Sequence, residues 1–227
     1  MDAVSVTIGH MPLITMLLAA GAGLLAGLLA NWAADRLPNY AAVPGQQARR
    51  HPLRKQMVLV AMIVLFTMLA FHNYADPARL FVSWCYAWFL TTVLVIDLET
   101  RRVLNIMLLP AAVFAVAAGL WLGQPTLASM LAGAAVGFGL FWCLYFVGRV
   151  KYGRGALGFG DVKLVAVIGL MTGYPNVLNA LVIGAALGGA AAVVLLLTRR
   201  AGWKSTTAYA PYLAAGAMLA LWHTFGG

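Results

Sequence analysis

Residues 81–97 read FVSWCYAWFLTTVLVID, an uncharged run from Phe81 to Ile96 that ends at the carboxylate of Asp97. Similar runs recur along the 227-residue chain, which is 63% hydrophobic and only 9% charged. Because a water-soluble domain carries about 25% charged residues, this composition excludes a soluble globular protein. Most of the runs approach the ~20 residues that a helix needs to cross a bilayer, so the sequence predicts an integral membrane protein.

Eight apolar segments can be marked, and they predict an all-α fold. We expect a polytopic integral membrane protein with a single membrane domain, residues 1–227, built as a bundle of about eight transmembrane helices. Strands of a membrane barrel would alternate apolar and polar residues, and these runs do not. The sixth segment is short for an upright span. The segments are Pro12–Ala34, Met57–His72, Ala78–Ile96, Leu104–Leu122, Thr126–Val147, Asp161–Thr172, Asn176–Thr198 and Ala208–Thr224.

The basic residues predict the orientation. The net charge is +9, and 13 of the 15 lysines and arginines fall in odd-numbered connections between segments. Since cytoplasmic loops carry the excess of Lys and Arg, these connections should face the cytoplasm and both termini the outside. The first, residues 36–56, is predicted to be a short basic cytoplasmic loop. Contact with anionic lipid explains such charge, and we predict no nucleic-acid partner because no basic stripe carries interleaved aromatic residues.

This topology predicts that two acidic residues lie on one side of the membrane. Asp97 ends a segment that runs inward, and Asp161 begins one that runs outward. Carboxylates at the edge of hydrocarbon are costly and mark functional sites. Two charges ~4 Å apart repel by ~4 kcal/mol at an effective dielectric of ~20, so one acid would keep a proton near neutral pH. Such a pair can activate water and polarise a peptide carbonyl, and Asp97 and Asp161 are therefore the predicted catalytic residues.

Each aspartate also has a structural interpretation. Asp161 could be the N-cap of its helix, a position that aspartate favours, and Asp97 could be an interfacial charge beside Glu99 and Arg101. If the pair is catalytic, the positive end of the helix macrodipole favours Asp161 as the resting base and Asp97 as the resting acid.

Four stretches of the chain share a pattern with a known family. They are Gly27–Asn31 with Arg36-Leu37-Pro38, Val95–Glu99, Ala156–Leu164 and Ala208–Gly216. They resemble the type IV prepilin peptidases, bacterial Gly-x-Gly-Asp intramembrane aspartic proteases, in order over nearly the whole chain, and the third stretch is the most specific. The resemblance implies a protease of the bacterial cytoplasmic (inner) membrane that cuts the leader of type IV prepilins or pseudopilins at the cytoplasmic face, with Asp97 and Asp161 at the catalytic positions. The implied partners are the substrate's leader, its N-terminal apolar helix and membrane lipids.

Two departures from the family pattern limit what the resemblance implies. Many relatives carry paired Cys-x-x-Cys motifs between the first two helices, whereas loop 36–56 has no cysteine; Cys85 and Cys143 lie in apolar runs. We therefore predict no zinc or other metal and no cofactor for proteolysis. S-adenosylmethionine would be needed only if the N-methyltransferase activity of many relatives is retained. Asn105 stands where relatives often carry a Leu-Pro-Asp-like element.

Four further residues receive weaker roles in substrate binding or gating. Gly158 and Gly160 would let the backbone approach a substrate or move, Lys163 would hold the charge state of Asp161, and Glu99 would meet a basic leader. The structural alternatives are a tight turn, a lysine reaching toward the headgroups and ordinary interfacial charge. A small transporter or proton-relay protein and an inactive scaffold of a secretion system are the alternative functions. The oligomeric state is not predicted.

Overall fold

The computed structural model describes residues 13–40, 52–73, 75–152, 158–198 and 209–225. All regular structure in these ranges is helical, which confirms the predicted fold class. The eight helices are α1 (Leu13–Tyr40), α2 (Arg54–Asn73), α3 (Pro77–Thr100), α4 (Asn105–Leu122), α5 (Leu127–Tyr152), α6 (Phe159–Thr172), α7 (Asn176–Leu197) and α8 (Ala210–Phe225).

Six of these helices, α1 to α5 and α7, are long and apolar enough to cross a membrane. The chain is thus a polytopic membrane protein, as its composition predicts. Helix α6 has 14 residues and is about 21 Å long, well below the ~30 Å of a hydrocarbon core. This agrees with the short sixth segment expected from the sequence. Helix α8 has 16 residues and is also apolar.

Helix α3 is the most enclosed of the six spans. Its apolar window is 72% buried, against 22–33% for the other five. It packs against α1, α2, α4 and α8, whereas α6 packs against α4, α5, α7 and α8. Helices α4 and α8 therefore contact both of the helices that carry the predicted catalytic acids.

Glycines allow the closest helix pairs to form. A Cβ added at Gly23 in α1 would lie 2.7 Å from Ile63 Cα in α2, and one at Gly133 in α5 would lie 2.6 Å from the Gly169 carbonyl oxygen in α6. No real side chain fits at these distances, so the backbones approach as small-residue membrane interfaces do. Gly139, on the same helix as Gly133, has nothing within 4 Å of its added Cβ.

The first connection differs from its predicted bounds. Helix α1 continues to Tyr40 and α2 begins at Arg54, so the connection shrinks from residues 36–56 to 41–53, of which 41–51 lie outside the described residues. The helices extend past their apolar runs because their polar ends pair with each other: Asp35 of α1 forms an ion pair with Arg54 of α2.

Candidate active site

Asp97 lies in the last turn of α3, where the helix ends. Arg101 closes the helix in the left-handed conformation (φ 54°), and its N–H donates to the Asp97 carbonyl at 2.8 Å. The Asp97 side chain is buried, with 4% of its surface exposed. Within the described part of the chain, its Oδ2 atom has no hydrogen-bond partner. A buried carboxylate oxygen without a hydrogen bond is uncommon, and Glu99 Oε1 is a second one among the described residues.

Asp161 lies in the first turn of α6. The N-cap of this helix is Gly158, and the Asp161 N–H donates to the Gly158 carbonyl at 3.1 Å. The alternative interpretation of Asp161 as the N-cap is therefore wrong. Its side chain is buried and folds back over Gly158, since a Cβ added there would lie 3.3 Å from Asp161 Oδ2.

The structure places the two carboxylates close enough for their charges to interact. Asp97 also lies within range of the opposite charge of Arg101. Five of the six acidic residues lie in the described ranges. Asp35, Asp76 and Glu99 each contact a cation. Asp97 and Asp161 are both buried. Neither forms an ion pair with a described residue.

Close packing holds the two acid-bearing helix ends near each other. A Cβ added at Gly160 would lie 2.9 Å from Val103 Cβ in the α3–α4 connection, so glycine lets this connection lie directly on the start of α6. Gly158 has an ordinary backbone conformation (φ −76°, ψ 136°). The substrate or gating role assigned to both glycines stays a prediction, whereas the contact with Val103 gives Gly160 a packing role.

Lys163 does not contact Asp161 in this structure. Its Nζ atom donates to Asn105 Oδ1 at 3.0 Å and lies 5.2 Å from the centre of the Phe159 ring. The predicted direct hold on the Asp161 charge is therefore not seen. The hydrogen bond joins Lys163, the fifth residue of α6, to Asn105, the first residue of α4, and it gives Asn105 a positioning role.

Glu99 is bound within the protein rather than presented to a partner. Arg54 is buried and donates through Nη1 to Glu99 Oε2 at 3.2 Å and through Nη2 to Asp35 Oδ1 at 2.7 Å. Lys55 adds an ion pair with Asp35 at 3.4 Å. We call Asp35, Arg54 and Glu99 the paired cluster. Sequence reasoning missed Arg54 because it was counted as a loop charge; the signal was its place at the start of an apolar run, on the side of the membrane predicted for two acids.

The chemistry available here is that of a carboxyl pair. Among the described side chains, no three His, Cys, Asp or Glu residues form a group that could hold a metal ion. Two neighbouring acids that cannot both ionise easily can share one proton, which provides a base and an acid side by side.

The chain matches a known protein family over its central part. The sequence profile of the type IV leader peptidase family matches residues 84–193, a range that contains both Asp97 and Asp161. Over these 110 of its 227 residues, slightly less than half, the chain is similar to this family. Three similar proteins, each named prepilin leader peptidase/N-methyltransferase, support that similarity.

These three relatives match the chain over only part of their own lengths. The protein of Pseudomonas putida is 29% identical over 83% of this chain and 67% of its own length. That of Escherichia coli (strain K12) is 34% identical over 63% and 61%, and that of Stutzerimonas stutzeri is 28% identical over 86% and 65%. The chain thus spans about two thirds of these relatives. No solved structure matches it.

Proposed function

We propose that the chain is an intramembrane aspartic endopeptidase that removes the leader of type IV prepilins or pseudopilins, with Asp97 and Asp161 as catalytic residues. One observation carries the proposal: these two described acids are both buried, their charges interact, and neither forms an ion pair with a described residue. Burying like charges together costs free energy, which is expected at a catalytic site that needs one acid protonated.

The reaction follows from that shared proton. The ionised carboxylate accepts a proton from water as the water oxygen attacks the scissile carbonyl carbon, and the protonated carboxyl donates a hydrogen bond to the carbonyl oxygen. The C–N bond then breaks, and the leaving amine takes up a proton from the pair. The position of Asp161 in the first turn of α6 favours it as the resting base because a helix N-terminus stabilises an anion.

The substrate and the membrane location come from the family and from the charge pattern. The relatives carry the word prepilin in their names, and an apolar bundle suits a substrate that is itself anchored by an apolar helix. The bias of lysine and arginine toward one side supports an active site at the cytoplasmic face of a bacterial inner membrane, with both termini outside. Arg54 already binds Glu99, so we assign that acid no direct contact with the leader.

Proteolysis by such a pair needs neither a metal nor a cofactor. We propose that leader cleavage proceeds in the presence of EDTA and without S-adenosylmethionine. N-methylation belongs to the relatives' names, and the mass of the mature pilin N-terminus, measured with and without S-adenosylmethionine, tests whether this chain also performs it.

Co-expression with a type IV prepilin tests the proposal. We expect the wild type to shift the prepilin to its mature mobility on a gel, and Asp97→Ala or Asp161→Ala to abolish the shift. Asp76→Ala is the matched control, because Asp76 caps α3 at the opposite end of that helix from Asp97. Cleavage should survive this change.

The alternatives give different results. A transporter or proton-relay protein would leave the prepilin intact while moving ions, and a scaffold would tolerate both catalytic substitutions. Cleavage that persists in both alanine variants would overturn the proposal.

A further inference from the structure

A lateral apolar groove of about 780 Å³ is lined mainly by α1, α3 and α4, with Phe66 of α2 and Met171 of α6 completing the lining. Helices α1 and α4 form its walls, and the more deeply buried α3 forms its floor. Several α1 side chains along it, such as Leu29 and Trp32, are more than half exposed. No acidic or basic residue lines it. We call this feature the lateral groove.

Contacts between aromatic side chains preform the groove. The Trp84 ring stacks on Phe66 with centroids 5.1 Å apart, and its indole N–H donates to the Phe66 carbonyl at 3.1 Å. Tyr86 meets Phe114 edge to face at 5.9 Å. These rings cannot rotate freely into the groove, so its shape is set before anything enters it.

The lateral groove extends toward the end of the bundle that carries the acid pair, and its lining on α3 stops at Phe89, eight residues before Asp97. On α4 it ends at Ile106, the residue after Asn105, which binds Lys163 in the turn that carries Asp161. On α1 it ends at Leu37, two residues from Asp35 in the paired cluster. The groove therefore runs from the hydrocarbon to the same end of the bundle as the candidate active site.

We infer that the lateral groove holds the apolar helix that follows the cleaved bond of the substrate, an inference that rests on the proposed function. Along α1 the lining extends from Ala22 to Leu37, about 24 Å at 1.5 Å per residue. This length accommodates most of a membrane-spanning helix. The almost entirely apolar lining suits such a helix, and the groove's end at the acid-bearing end of the bundle would bring the start of that helix toward the hydrolytic pair.

A native cysteine makes the position of the helix measurable. Cys85 lines the groove and precedes Asp97 on α3 by twelve residues, about 18 Å along the axis. A substrate helix whose cleaved bond lies level with Asp97 would therefore place a residue about twelve positions beyond that bond beside Cys85. Cys143, on α5, is exposed and does not line the groove, so it is the matched control.

The experiment is oxidative cross-linking in native membranes. Two single-cysteine enzymes, Cys143→Ser and Cys85→Ser, each carry Asp161→Asn so that the prepilin stays uncleaved. Each is paired with a type IV prepilin whose only cysteine is moved one residue at a time along its apolar helix. We expect Cys85 to form disulfides that peak about twelve residues beyond the cleavage site and recur every three to four residues. Cys143 should give background only.

Cleavage by the same single-cysteine enzymes with Asp161 intact, measured in parallel, separates two kinds of failure. If the prepilin is cleaved while Cys85 gives no adduct, no helical period, or no more adduct than Cys143, the groove holds lipid and the inference is overturned while the proposed function stands. If neither single-cysteine enzyme cleaves the prepilin but the wild type does, both cysteine substitutions impair cleavage; periodic Cys85 adducts then still support the inference, and their absence overturns it. If the wild type does not cleave it either, the proposed function falls and the inference falls with it.

Discussion

The paired cluster and the acid pair lie at the same end of the bundle, but they differ in whether a cation neutralises their carboxylates. In the paired cluster, the Arg54 guanidinium bridges Glu99 and Asp35. The charges of Asp97 and Asp161 interact with each other, and neither acid forms an ion pair with a cation among the described residues. Asp97 and Glu99 are two residues apart on α3, which separates their side chains by about 200° around the helix. The face of α3 on which a carboxylate lies, rather than its depth, decides which group it joins.

This difference teaches how the two groups should respond to the same chemical change. A buried charge that loses its partner destabilises the fold, whereas removing one of two like charges relieves repulsion. We therefore expect substitutions in the paired cluster to act on stability and substitutions in the acid pair to act on catalysis.

The largest effect is expected from Asp161→Asn compared with Glu99→Gln, since both replace a buried carboxylate by an amide. Asp161→Asn should lower the rate of prepilin cleavage by about 10³-fold, with the unfolding temperature unchanged or raised. Glu99→Gln should keep cleavage within about tenfold and lower the free energy of unfolding by about 2 kcal/mol. Cleavage assays and thermal unfolding in detergent measure both, and equal losses of cleavage would erase the distinction between the groups.

The next effect is expected at Arg54. Arg54→Met leaves two carboxylates without their shared guanidinium and should lower the free energy of unfolding by about 3 kcal/mol. Arg54→Lys should lose less, because an ammonium keeps the charge but not the two-sided fork of donors. Arg79→Met is the control: its pair with Asp76 is largely exposed and should be worth under about 1 kcal/mol. If denaturant unfolding shows equal losses for Arg54→Met and Arg79→Met, the paired cluster does not stabilise the bundle.

A smaller effect is expected from Gly160→Ala, which tests the spacing within the acid pair. The added methyl group would meet Val103 at 2.9 Å and push the α3–α4 connection away from α6. We expect cleavage to fall by about 10- to 100-fold, because a misplacement of about 1 Å can cost 10²-fold. Gly139→Ala, in open space, should be neutral or slightly stabilising. A full rate for Gly160→Ala would show that this contact does not set the spacing.

The smallest effect is expected at the link between Asn105 and Lys163. Their hydrogen bond is exposed, so a double-mutant cycle of Asn105→Ala and Lys163→Met should give a coupling energy of about 0.5 to 1 kcal/mol. Either single variant should slow cleavage by less than about tenfold. A strictly additive cycle would mean that the link contributes nothing to the position of Asp161.

Composition and local pattern predicted most of the fold. Apolar runs located all eight helices because a helix in hydrocarbon must satisfy its own backbone and expose apolar side chains. The ends were less predictable: α1 passes its apolar run to reach Tyr40, and α2 starts at Arg54 rather than at Met57. Polar residues at these ends are stabilised by partners on other helices, and such partners are not visible in a local window.

The candidate site also combines features that the sequence predicted with contacts that it did not. The charge bias and the order of the segments predicted that Asp97 and Asp161 would lie on one side of the membrane, and the Gly-x-Gly-Asp stretch marked one of them. The contact partners of Glu99 and Lys163 could not be predicted, because Arg54 and Asn105 lie 45 and 58 residues away along the chain.

The sequence by itself determined that this chain is an all-α membrane protein with very few acidic residues. Only the tertiary structure decided which of the described acids have cationic partners and which two lie within range of each other's charge, and it alone formed the lateral groove from residues of five helices. The physical reason is the distance along the chain over which each property is determined. A run of apolar residues specifies a single helix, whereas the environment of a carboxylate depends on the other helices that pack around it.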